Sequence, residues 1–217
     1  MIGLKVPART AAVLGGVMAL AAALCTTFAA VPASAATAQC GSLCTSFYPL
    51  STGTSDVLAV SHPSGTSAST GEAVTISAAS TTNQGEDWVL EIQGTVSDFY
   101  EAGLMSSAMN MHFGSDDVYE IDYAPDATWT GECLGVSSSN GSGSVTLQPC
   151  GETAATLWVA DTADQNGRAV PLINGNNNNF SAPYGLTASS VGTQLTSSGL
   201  RAPISSSSEW GTIAGEL

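Results

Sequence analysis

The chain has 217 residues, of which four are basic and 18 acidic, giving a formal charge of −14 and a pI near 4.1. So few cations cannot neutralise a run of phosphates, which excludes nucleic acid as a partner and sets anionic membrane surfaces against binding. The acidity is otherwise a device for solubility and resistance to self-association, as expected of a monomer.

The chain opens on a tripartite export leader. Lys5 and Arg9 form its positive start, Ala11 to Val31 is almost wholly apolar, and Pro32 precedes the small-x-small site Ala33-Ser34-Ala35. A cut is expected after Ala35, with Ala36-Thr37-Ala38 as a second site. Cys25 follows Leu24, where a lipoprotein signal wants Gly or Ala, so the expected product is secreted rather than lipid-anchored. Removing residues 1–35 leaves 182 residues, in which Arg168 and Arg201 stand against 18 acids for a net charge of −16. That length suffices for one domain with a real core. We divide it into an N-terminal extension over 36–52 and a domain over 53–217.

Four cysteines remain, Cys40, Cys44, Cys133 and Cys150, and an even number in an exported chain reads as two disulfides. Sequence proximity pairs Cys40 with Cys44 and Cys133 with Cys150. A zinc site fits poorly, because His62 and His112 lie far from either pair and the spacings match no standard zinc pattern.

Short strand-like runs bounded by turn residues then recur: Val57–Val60, Ala73–Ile76, Trp88–Ile92, Val118–Tyr123, Cys133–Val136, Ser144–Gln148 and Leu157–Ala160. Alternation in Met109 to Phe113 and in Tyr119 to Tyr123 predicts strands with one face in a core and one in water. One short helix is expected, capped by Asp98 with Glu101 completing a capping box and running to about Met105. The class is therefore all-β with a single helical insertion.

The runs repeat. Leu134 and Leu186 are 52 residues apart, as are Trp158 and Trp210, and an earlier unit pairs Leu58 with Trp88 across a longer loop. Three such units predict a pseudo-threefold fold with Trp88, Trp158 and Trp210 as structural core, each contributing several kcal/mol when enclosed.

These residues resemble the ricin B-type β-trefoil lectin family. The middle unit carries the likeness best, in Cys133-Leu134-Gly135-Val136, then Val145-Thr146-Leu147-Gln148-Pro149-Cys150, then Leu157-Trp158. The same stretches, with Phe99-Tyr100-Glu101-Ala102-Gly103-Leu104, also resemble a branch of actinobacterial secreted proteins. The resemblance implies a Cys133–Cys150 bridge, a β-trefoil fold and carbohydrate binding. It also implies where sugar would sit, and there the chain departs from the pattern. The family's anchoring Asp is replaced by Ala59, Gly135 and Thr187, and its stacking aromatic by Ser77, Gln148 and Thr196. Its Asn-Gln pair is replaced by Gly85-Glu86, Ala155-Thr156 and Ser207-Ser208. Trp129, Gln148 and Asn176, the last within the turn Asn174 to Asn179, are the remaining carbohydrate-binding candidates.

No catalytic constellation is legible. His62 and His112 have no nucleophile motif near them, and the thiols are expected in bridges. The acids Asp116, Asp117, Glu120, Asp122 and Asp126 cluster, with Glu120 and Asp122 on one strand face expected to be solvated; a divalent cation is the rival reading there. The leading expectation is a secreted, non-catalytic carbohydrate-binding protein with degenerate sugar sites, no cofactor and no metal. A protein-interaction or protease-inhibitor module, taking an extracellular protein as partner, stays open, and a glycoside hydrolase stands third.

Overall fold

The computed structural model describes residues 44–61, 68–80 and 82–214. The export leader, Cys40 and His62 lie outside the described residues. Among the described residues, the runs of β-branched and aromatic side chains between Gly- and Ser-rich turns form twelve strands. They are β1 (Thr45–Pro49), β2 (Asp56–Val60), β3 (Val74–Ala78), β4 (Trp88–Thr95), β5 (Asp117–Tyr123) and β6 (Glu132–Val136), followed by β7 (Gly143–Pro149), β8 (Leu157–Ala160), β9 (Val170–Asn174), β10 (Tyr184–Thr187), β11 (Thr196–Gly199) and β12 (Glu209–Ala214).

Six of them close a barrel. β1 pairs β4, β4 pairs β5, β5 pairs β8, β8 pairs β9, β9 pairs β12, and β12 returns to β1, every pair antiparallel. Closure leaves the barrel no unpaired edge. The other six form three hairpins, β2–β3, β6–β7 and β10–β11. These hairpins meet one another through β7–β11 and through bridges from Ala73 to Thr146 and from Thr75 to Gln194. Four strands recur three times about a pseudo-axis, which is the β-trefoil.

The three tryptophans occupy equivalent places. Trp88, Trp158 and Trp210 are fully or almost fully buried. Each indole N–H donates to the carbonyl of the leucine on its own hairpin: Leu58 at 3.1 Å, Leu134 at 2.9 Å and Leu186 at 2.8 Å. An indole can bury a large apolar area only if its N–H finds an acceptor. The same acceptor serves in every unit and ties barrel to hairpin. Leu58, Leu134 and Leu186 join the rings in one core with Ile76, Leu147 and Tyr123.

One boundary differs from the sequence reading. β1 falls inside the segment 36–52 assigned to an extension, yet it is a barrel strand paired along its whole length with β12. Its composition, Thr-Ser-Phe-Tyr-Pro, carries no repeat signature, and long-range pairing alone places it. Cys44, just before β1, is disulfide-bonded, and Cys133–Cys150 staples the β6–β7 hairpin.

The insertion between β4 and β5 holds two helices rather than one. α1 (Val96–Glu101) is capped by Thr95, with Asp98 at the third helical position completing the capping box, one turn earlier than Asp98 and Glu101 would place it. Thr95→Ala is expected to lower stability by about 1 kcal/mol in a urea titration. α2 (Ser107–Phe113) replaces the predicted strand. Ser106 caps it by accepting from the Met109 amide at 3.1 Å. A five-residue alternation also satisfies helical i, i+4 spacing, so Met109 and Phe113 are buried while Met111 is left 80% exposed. His112 is therefore on a helix, with its ring stacked on Phe180 at 4.8 Å.

α1 and α2 build a second core, in which Val96, Phe99, Met109 and Phe113 pack on Val118 of β5 and Leu157 and Val159 of β8. Both faces of β5 are thereby covered. Among the described residues, no helix is long and apolar enough to cross a membrane.

Candidate functional site

Of the three places where the family resemblance would put a sugar, two are occupied from within and the first keeps a shallow cleft. In the second unit the Gln148 side chain lies across Gly135 and donates to Thr146 Oγ1 at 2.7 Å. A Cβ on Gly135 would come within 2.8 Å of Gln148 Cγ, so an anchoring carboxylate there would have to displace that side chain. In the third unit Thr187 Oγ1 sits between Ser208 Oγ at 3.1 Å and Ser198 Oγ at 2.9 Å.

In the first unit a shallow cleft opens beside Ala59, lined also by Thr75, Ser77 and Asn83. Its polar groups are turned inward, since Asn83 Nδ2 and Ser77 Oγ both donate to Glu86 Oε1, at 2.7 and 3.1 Å. Burial raises the Glu86 carboxyl above its usual range, offset in part by these donors and by the Ser80 amide. Glu86, Thr156 and Ser208, each two residues before its tryptophan, are all buried and bonded to protein.

Trp129 is 54% exposed on the β5–β6 loop. It follows a 3-10 turn over Pro125–Ala127 in which Asp126 takes a positive φ of 51°. Trp129, Gln148 and Asn176 are thus scattered, and only Asn176 lines one of the clefts formed by the described residues.

The acidic cluster is corrected in its burial. Glu120 and Asp122, expected on a solvated face, are 5% and 6% exposed, because the loop after Cys150 closes over the outer face of β5. Glu120 Oε1 accepts from the amides of Gly151 and Glu152 at 3.1 and 3.2 Å and from the Thr156 hydroxyl at 3.0 Å. Asp122 Oδ1 lies 3.0 Å from both bridge sulfurs, and its Oδ2 is buried with no partner. A disulfide has no proton to donate, so this carboxyl is poorly supported as an anion. Desolvation, then the charges of Glu120 and Glu91, raise its pKa to about 7. Glu120, Cys133 and Cys150 are close enough to suggest a metal site. Their chemistry argues otherwise, since the two sulfurs are bonded to each other and the Glu120 oxygen already serves three donors.

A larger cleft lies where sequence reasoning pointed only through Asn176. It opens between the helical insertion and the turn after β9, with a volume of about 570 Å³, within the range of small-ligand sites. Leu104, Met105, Ala108 and Phe180 give it apolar walls, and Ser139, Asn176 and Asn178 bring hydroxyl and amide groups. The turn that presents them is held by its own side chains. Asn174 Oδ1 accepts from the Asn176 amide at 3.1 Å, and Asn177 Oδ1 accepts from Asn179 and Tyr184 amides at 3.2 and 3.0 Å. Gly175 allows a close approach, since a Cβ there would come 2.8 Å from the Ala154 carbonyl. No charged residue lines this cleft, although the chain carries 18 acids. A neutral site with apolar walls and an amide rim suits a neutral, hydroxyl-bearing ligand. Its parts come from the insertion, the β6–β7 hairpin and the β9–β10 turn, segments distant in sequence, so only folding assembles it.

Comparison with solved structures places the fold among β-trefoils. The designed 3-fold symmetric protein ThreeFoil superposes with a TM-score of 0.52 at 12% identity, covering 78% of this chain and 97% of that one. A mosquitocidal holotoxin superposes with a TM-score of 0.51 at 15% identity over 80% of this chain, which spans only 17% of the toxin. At such identity the likeness is one of fold. No family model matches the chain, and no curated protein matches it in sequence.

Proposed function

We propose that the protein is a secreted, non-catalytic carbohydrate-binding β-trefoil whose repeat sites are degenerate and whose ligand cleft has moved to the helical insertion. The observation that carries this reading is the uncharged cleft lined by Leu104, Phe180, Asn176 and Asn178 in an otherwise strongly acidic chain. Sugar recognition needs amides to hold hydroxyl pairs and apolar surface for the pyranose face, and this cleft supplies both. The rim amide of Asn178 is exposed to solvent. Fold likeness adds the trefoil scaffold but no ligand.

The purified protein is expected to capture neutral glycans on an array, with binding indifferent to salt because no charge lines the cleft. Replacing Asn178 and Asn176 together by Ala should weaken binding about tenfold or more. Gln148→Ala, at the second repeat, should leave it unchanged. Capture of no glycan would overturn the proposal, and loss of binding on Gln148→Ala would move the site back to the repeat.

A second reading, a protein partner outside the cell, is favoured by one observation: Tyr100, Leu104 and Met111 of the insertion are 41%, 41% and 80% exposed. Glycan-independent capture of a defined protein, lost on Met111→Ser, would support it.

A further inference from the structure

We propose that the end of the barrel remote from the three hairpins binds a small apolar carboxylate, with Arg168 as its anion anchor. The inference is independent of the glycan reading.

Side chains two apart on a strand share a face. One step beyond each tryptophan, facing the barrel interior, therefore come Leu90 on β4, Ala160 on β8 and Thr212 on β12. The threefold pattern provides one large side chain and two small ones, and the interior is left incompletely filled. A cavity of about 170 Å³ results, walled by Phe47, Tyr119, Val170 and Trp210. For scale, an apolar protein cavity of about 150 Å³ takes up benzene. The space is thus suited to one six-membered ring or a short branched chain.

One cation lines it. Arg168 precedes Val170 by two residues and stands at the exposed rim of the cavity. It is one of only two basic residues in the described chain, against 18 acids in the whole sequence. Among the described residues, none of the carboxylates pairs with it. Tyr119 and Thr212 each add a hydroxyl to the lining, and burial, then the charge of Asp117, raises the Tyr119 phenol above its usual range. A guanidinium is a planar fork that binds carboxylate through two parallel hydrogen bonds, and beside an apolar wall that bond is less screened than in water. Apolar walls with a single guanidinium at the mouth select a ligand with an apolar body and one anionic end. They do not suit a sugar, which would leave most hydroxyls unpartnered in the cavity.

Benzoate is the probe of choice and benzamide its neutral counterpart. Titration of the full chain, followed by tryptophan fluorescence through Trp210 and by amide shifts of β9 and β12, is expected to saturate with benzoate at a dissociation constant on the order of 1 mM, ordinary for so small a ligand. Benzamide should bind about tenfold more weakly, and added salt should weaken benzoate alone. Arg168→Gln, a surface change with no packing role, should reduce benzoate affinity about tenfold and leave benzamide unchanged. Ala160→Leu, which places in the second unit the residue the first already has, should abolish both, with far-UV circular dichroism confirming the fold. Equal binding of benzoate and benzamide, or an unchanged affinity in Arg168→Gln, would overturn the anion site. No saturable response to benzoate at about 10 mM would overturn the cavity as a site altogether.

Discussion

Truncating Trp158 to alanine is expected to cost about 3–5 kcal/mol, the range for large aromatic side chains removed from a packed core. In a domain of this size that corresponds to a fall in melting temperature of roughly 10–15 °C. Two losses combine. The ring is fully buried, so its removal leaves a cavity, and the Leu134 carbonyl loses the donor it meets at 2.9 Å. Trp158→Phe separates them, because most of the volume stays and the lost donor costs about 1–3 kcal/mol. The pseudo-threefold arrangement requires Trp88→Ala and Trp210→Ala to behave alike, since their indoles meet Leu58 and Leu186 in the same way. Trp129→Ala is the control. Its ring is 54% exposed and its loss should register within about 0.5 kcal/mol. Urea unfolding followed by far-UV circular dichroism measures all five variants. A small effect at any one of the three core positions, matching that at Trp129, would break the equivalence on which the architecture rests.

Asp122→Asn is expected to stabilise the protein at neutral pH and to flatten its pH dependence. The folded carboxyl is raised from 3.8 to about 7, so the folded state holds this proton more tightly than the unfolded chain. Below about pH 4 the aspartate is protonated in both states and imposes no penalty. As pH rises from about 4 to 7 the unfolded state gains by ionising while the folded state resists, and stability falls. Above 7 the loss is complete. At full strength the displacement is worth about 4 kcal/mol; the effective dielectric around even buried protein groups is well above that of a dry interior, which reduces it to about 2 kcal/mol. Burial raises Glu86 and Asp161 as well, and both act with the same sign. The native protein should therefore melt several degrees higher at pH 4.5 than at pH 8. Asparagine keeps the shape beside the Cys133–Cys150 bridge without a charge, so the variant should gain most at pH 8 and nothing at pH 4. Thermal melts across that range decide it. A native melting temperature that rises from pH 4.5 to 8, or a variant no more stable at pH 8, contradicts the buried-carboxyl account.

Legibility in the sequence followed the range of the interaction. The helix pair shows the boundary well. Thr95 and Asp98 form a capping box whose residue types are plain in the sequence, but Asp98 and Glu101 offer a competing register one turn later. Only the packing of Val96 and Phe99 against β5 and β8 chooses between them. Glu120 and Asp122 do share a strand face, as alternation requires. Whether that face meets water depends on a loop some thirty residues away whose amides bond Glu120. β1 is illegible in the sequence for the same reason, since its identity as a barrel strand lies in its pairing with β12 at the opposite end of the chain. Of the three binding candidates, Asn176 alone lies in the large cleft, because the amides that form a rim are common in any exposed turn.

What the sequence determined by itself was the threefold repeat of strands ending in tryptophan, the class of fold that such repetition builds, and the proximity of Cys133 to Cys150. Each is written in the spacing of residues near one another along the chain. Tertiary structure alone decided that Met109 to Phe113 is a helix, that two acids of β5 are buried, and where clefts open beside the insertion and at the end of the barrel. The physical reason is that burial and cavities belong to surfaces brought together from distant segments, and no local pattern records which surface will arrive.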